Sequence, residues 1–161
     1  MKRVLGLDVG DKRIGVALSD ELGITARGLF VLERTNIKSD TQKIMETIIE
    51  NECSAVVIGL PLNLSGDDSV QTEKVRMFAQ KLENKLISNS LKDVRVELYD
   101  ERFTTIIAKR GISEAGMNRD KQSKHIDQEA AAVMLEDWLL GHGARKKQTA
   151  GDSTASKSNN E

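Results

Sequence analysis

A single carboxylate placed inside the most apolar stretch near the start of the chain constrains the fold more than any other feature. Val4 to Val9 and Ile14 to Leu18 are two apolar runs joined by the polar turn Gly10-Asp11-Lys12-Arg13. They read as the two strands of a hairpin. The first run is apolar almost throughout, the pattern of a strand covered on both faces at the centre of a sheet. Asp8 falls inside it. A carboxylate there must take up a proton, find a partner or hold a cation. The plainer alternative is that Asp8 caps the Gly10 turn.

The rest of the chain builds outward from that hairpin. Gly28 to Glu33 reads as a third strand, and Ser39-Asp-Thr-Gln42 fits a capping box opening a helix to about Asn51, with Ile44, Ile48 and Ile49 at helical spacing. Ala55 to Leu60 is a short apolar run ending at Pro61, expected to be a strand parallel to the first because a helix precedes it. The turn-rich stretch Pro61 to Ser69 leads into an amphipathic helix with Val75, Phe78, Ala79, Leu82 and Leu86 on one face. Val94 to Tyr99 alternates as a last strand and ends at Asp100-Glu101-Arg102. Thr104 or Thr105 can cap a helix to about Gly116, and the polar, basic stretch from Gly116 to Lys124 reads as a mobile loop. A final helix is expected from near His125 to Leu140, with Asp127, Ala131, Met134 and Trp138 on one face. The expected class is therefore α/β, a mixed sheet of antiparallel and parallel strands flanked by helices. Residues 1–141 would form one domain, and 142–161, polar and without apolar period, a disordered tail.

Composition narrows the partners. The chain of 161 residues carries a net charge of −1, so a nucleic-acid partner would have to be held by a local basic patch. One cysteine, Cys53, and two histidines, His125 and His142, exclude an internal disulfide and a zinc cluster of Cys and His. No apolar run approaches the ~18 residues of a membrane span. The expectation is a cytoplasmic protein without membrane association.

Ligands of an open parallel sheet bind beyond the carboxyl ends of its strands. Asp8, the Pro61–Ser69 loop and Asp100-Glu101 fall there, and Asp127 joins them if the last helix packs its apolar face on the sheet. Strand alternation lets only one of Asp100 and Glu101 face inward. Carboxylates gathered from distant segments repel unless a cation is present, and an oxygen-only set suits Mg²⁺ or Mn²⁺, one ion or two. Two such ions serve in-line phosphodiester hydrolysis.

Four blocks then carry a family resemblance: Gly6-Leu-Asp8-Val-Gly10 with Arg13-Ile-Gly15-Val-Ala17; Val57-Ile-Gly59-Leu-Pro61-Leu-Asn63 with Gly66; Tyr99-Asp100-Glu101-Arg102-Phe-Thr104-Thr105; and His125-Ile-Asp127-Gln-Glu-Ala130-Ala131. In this order they resemble the YqgF/RuvX family. That resemblance implies an RNase H-like fold with strand order 3-2-1-4-5, related to RuvC-type resolvases. It implies a nuclease acting on the 5′ end of pre-16S rRNA or, alternatively, on branched DNA as a Holliday junction resolvase, as monomer or homodimer. By block matching, Asp8, Glu101 and Asp127 are the catalytic and metal-binding triad. RuvC-like enzymes carry a further acidic residue three positions after the last aspartate, where this chain has Ala130.

Arg13, Asn63, Arg102, Arg119 and Lys124 are candidate substrate contacts; Lys109, Arg110 and Lys121 add to the basic stretch. Each could equally be a solvated surface group, and Asn63 and Ser65 could only shape their loop. Aromatic residues make up 3% of the chain, which favours backbone or shape recognition over base stacking. Two other classes share the core: an actin-like ATP-using enzyme, which would need a second lobe, and a non-catalytic nucleic-acid-binding module, in which a carboxylate triad would serve no purpose.

Overall fold

The computed structural model describes residues 3–101 and 126–142. Strands β1 (Arg3–Val9), β2 (Arg13–Ser19) and β3 (Ala26–Glu33) are followed by helix α1 (Ile37–Glu50), β4 (Cys53–Leu60), α2 (Val70–Ser88) and β5 (Arg95–Asp100). A last described helix, α3, spans 126–142. The five strands form one sheet in the order β3-β2-β1-β4-β5. β1 and β2, and β2 and β3, pair antiparallel. β1 with β4 and β4 with β5 pair parallel, as helical crossovers require. The sequence-predicted 3-2-1-4-5 order is the observed one.

Strand alternation sends side chains to two separate cores. Leu5, Leu7, Ile14, Val16, Val56 and Ile58 pack against Ile44 and Ile48 of α1 and Val75, Phe78 and Leu82 of α2. On the opposite face Val4, Ala17, Ala55 and Val57 pack against Ala131, Met134, Leu135 and Trp138 of α3. β1 is thus covered on both sides, which is why its sequence is apolar on both alternations. Small residues at the α3 contact let that helix lie close: a Cβ on Gly6 would sit 3.0 Å from Leu135 Cβ. Trp138 ties the helix to β5 by donating its indole N–H to Glu97 Oε2 at 3.0 Å.

The helix starts differ from expectation in one place. α1 begins at Ile37, and its cap is Asn36, whose Oδ1 accepts from the Ser39 N–H at 2.9 Å. Ser39 lies in the first turn and does not cap it. The predicted glutamine partner is unused because Asn36 already holds the extended backbone and side-chain acceptor that a cap needs. α2 does carry a capping box, Ser69 with Thr72. Ile49 is 53% exposed and lies off the buried face. The expected helix from Thr104, the basic loop, and the tail beyond 142 lie outside the described residues.

Candidate nuclease site

Asp8 lies two residues beyond Gly6 on β1, and alternation turns both toward the α3 side of the sheet. Its antiparallel partner is Gly15 on β2. The first turn of α3 sits directly over that glycine, so that a Cβ on Gly15 would lie 2.6 Å from the carbonyl carbon of Asp127. The absent side chain at 15 is what lets the start of α3 approach the Asp8 strand. Asp127 is half-buried there, at the end of the helix where its charge is favourable.

Glu101 reaches the same face from the other side. Glu97 and Tyr99 of β5 contact the α3 core, which by alternation puts Glu101 on that face and Asp100 on the other. The Glu101 carboxyl lies across Gly59 of β4, where a Cβ would stand 2.6 Å from its Cδ. Its Oε1 is buried from solvent. Of the two acidic residues ending β5, it is therefore Glu101 that accompanies Asp8 and Asp127.

Common placement is not yet a closed ligand set. Among the described residues no three His, Cys, Asp or Glu side chains are grouped so as to hold a metal ion. The donor chemistry nonetheless fits a hard divalent cation, since all three groups offer carboxylate oxygen. Gly59 and Gly15 leave the room that side chains there would fill.

The other predicted residues divide. Arg13 starts β2 two residues before Gly15, and so shares its face; its Nε contacts Glu33 Oε1 at 3.3 Å. Asn63 is exposed in the loop after β4, and its backbone closes that loop: its N–H donates to Asp67 O at 3.0 Å and its carbonyl accepts from Gly66 N at 2.8 Å. Gly66 has φ 90°, which explains the glycine. The loop base is fixed by Arg76, whose Nε and Nη2 donate to Asp68 Oδ2 and Oδ1 at 2.9 and 3.1 Å, and by the Thr72 hydroxyl donating to Pro61 O. Arg102, Arg119 and Lys124 lie outside the described residues.

Three residues that sequence reasoning did not single out hold the end of β1. Gln71 donates to Val9 O at 3.2 Å, and Arg34 Nη1 donates to Gly10 O at 2.9 Å. Asp40, 2% exposed, accepts from Arg34 Nε at 3.2 Å and from Thr35 N at 3.2 Å. No local pattern announces these contacts, because Arg34 and Gln71 are 24 and 62 residues from the carbonyls they reach.

A family model described as RuvX, Holliday junction resolvase, matches residues 2–141. The chain belongs to the RuvX family. Curated relatives agree in length as well as sequence. A Myxococcus xanthus protein called "Putative pre-16S rRNA nuclease" is 42% identical over 140 residues, covering 87% of this chain and 89% of the relative. One of the same name from Desulforamulus reducens is 41% identical over 137 residues, covering 85% and 96%. Among solved structures, Thermus thermophilus RuvC in complex with Holliday junction substrate superimposes with TM-score 0.54 at 15% identity, covering 88% of this chain and 96% of that one. The yeast mitochondrial Holliday junction resolvase Ydc2 gives 0.53 at 13%, covering 86% and 78%. At those identities the structures establish the shared RNase H-like fold, which this RuvX member builds with the 3-2-1-4-5 sheet described above.

Proposed function

We propose that this protein is a Mg²⁺- or Mn²⁺-dependent endonuclease that hydrolyses phosphodiester bonds of structured nucleic acid, in the processing of the 5′ end of pre-16S rRNA. The observation that supports the proposal is the placement of Asp8, Glu101 and Asp127 on the α3-facing side of the sheet, near the carboxyl ends of β1, β4 and β5. The names of the family's relatives supply the substrate.

In this reading the three carboxylates are the metal ligands and the catalytic groups. Their shared negative charge attracts the cation and disfavours an empty site. A divalent ion held by these carboxylates would supply activation of the attacking water and stabilisation of the leaving oxygen. Asp8 and Asp127 sit on rigid elements, a central strand and a packed helix, and define where the scissile phosphate must come. Glu101, at a strand end, completes the set by turning its carboxyl from Gly59 toward them. Arg13, Asn63, Arg102, Arg119 and Lys124 contact the substrate backbone and hold the phosphodiester against that charge.

A second reading, resolution of branched DNA, is favoured by the family description and by the junction-bound neighbour. Symmetric cutting of a four-way junction would need a homodimer with two such sites; trimming a precursor RNA works with a monomer. Labelled precursor rRNA and labelled four-way junction DNA, incubated side by side with Mn²⁺, separate the two. Metal-dependent cleavage of the RNA, lost in Asp8→Asn, is the expected result. Cleavage of the junction alone moves the substrate to DNA, and cleavage of neither by a folded protein removes the nuclease assignment.

A further inference from the structure

The pairing of β1 with β4 runs only to Leu7 opposite Ile58. Beyond it two side chains hold the backbone that leaves β1: Gln71 on Val9 O, at 3.2 Å, and Arg34 on Gly10 O, at 2.9 Å. The Arg34 backbone N–H also donates to Lys12 O at 2.9 Å, so one residue grips the β1–β2 turn at both sides. Its guanidinium is oriented in turn by the buried carboxylate of Asp40, at 3.2 Å, and by the Phe78 ring, whose centroid is 5.5 Å from Cζ. A planar fork can serve a carbonyl and a carboxylate at once, which an ammonium on a flexible stem cannot do with the same geometry.

We propose that Arg34, oriented by Asp40, is a positioning residue for Asp8. It fixes the backbone two residues beyond Asp8 and thereby the direction in which that carboxylate enters the cation site. This rests on Asp8 being a metal ligand. Groups that orient metal ligands typically carry a 10–100-fold share of metal affinity. Without the clamp, the ordering of the β1 end falls to the metal itself.

Manganese binding by calorimetry, together with amide exchange by NMR, on wild type, Arg34→Met, Arg34→Lys and Asp40→Asn tests this. Methionine keeps apolar contact with Phe78 while removing both hydrogen bonds. Arg34→Met is expected to weaken Mn²⁺ binding about tenfold and to speed exchange of the Gly10 amide, bonded to Arg13 O, while β4 amides keep wild-type rates. Arg34→Lys should recover part of the affinity, and Asp40→Asn should shift it in the same direction as Arg34→Met. Wild-type affinity in Arg34→Met, or exchange accelerated equally across the sheet, overturns the positioning role. A wild type that takes up no Mn²⁺ overturns the metal assignment of Asp8 instead, and the positioning role falls with it.

Discussion

A methyl group at position 59 would take the volume now occupied by the Glu101 carboxyl, with 2.6 Å to its Cδ, whereas one at position 15 would run into the Asp127 backbone. The two substitutions therefore predict different failures. In Gly59→Ala a flexible side chain moves aside, so the Glu101 carboxyl loses its resting place while the fold survives, with the melting temperature close to wild type. In Gly15→Ala a helix backbone must shift, which overpacking data put at about 1–3 kcal/mol. That variant should melt earlier and exchange its α3 amides faster. Equal stability of the two proteins would refute the close approach of α3 to β2. Asp8 was legible in the sequence because a charge in an apolar run is conspicuous. The choice between Asp100 and Glu101 was not, since it depends on which face of an edge strand meets α3.

At the scale of elements, the apolar periodicities foretold the buried faces of α2 and of α3 past Asp127, and they named the residues that pack there. Boundaries were harder to read. Ser39 and Asn36 are both acceptable caps, and the sequence offers a capping-box pattern at the wrong one. Asp40 takes part as well: its carboxylate turns back to Arg34 and Thr35, contacts that lie outside the spacing of a capping box. Asn36→Ala should therefore cost about 1 kcal/mol of stability, the usual loss for a removed cap. Ser39→Ala should leave the urea midpoint nearly unchanged. A larger loss in the serine variant would restore the start of α1 to Ser39.

For the whole molecule, the two-core sheet explains a pH effect away from the site. Cys53 begins β4 in the α1–α2 core, 5% exposed, and burial pushes its thiol up to about 11 from an ordinary 9.0, a rise that the Arg3 charge offsets only in part. The folded state keeps this proton more tightly than the unfolded chain. The associated stability is complete below pH 9.0 and is lost as pH rises toward about 11. The difference in unfolding free energy between wild type and Cys53→Ala, followed by denaturant titration, should narrow across that interval; a constant difference would show the thiol to be unperturbed. The global arrangement was readable from alternating strands and helices because helix-linked strands must run parallel. The proposed cation site was not, because it draws on side chains from segments more than a hundred residues apart, Asp8 and Asp127. In the proposed site Asp8, Glu101 and Asp127 share one divalent ion. Anomalous difference density from a crystal grown with Mn²⁺ tests it most directly. A peak is expected at the α3-facing end of β1, with carboxylate oxygens of all three residues at roughly 2.0–2.3 Å. A Mn²⁺ peak elsewhere on the protein, or one contacting Asp8 while Glu101 stays against Gly59 and Asp127 turns away, would contradict it.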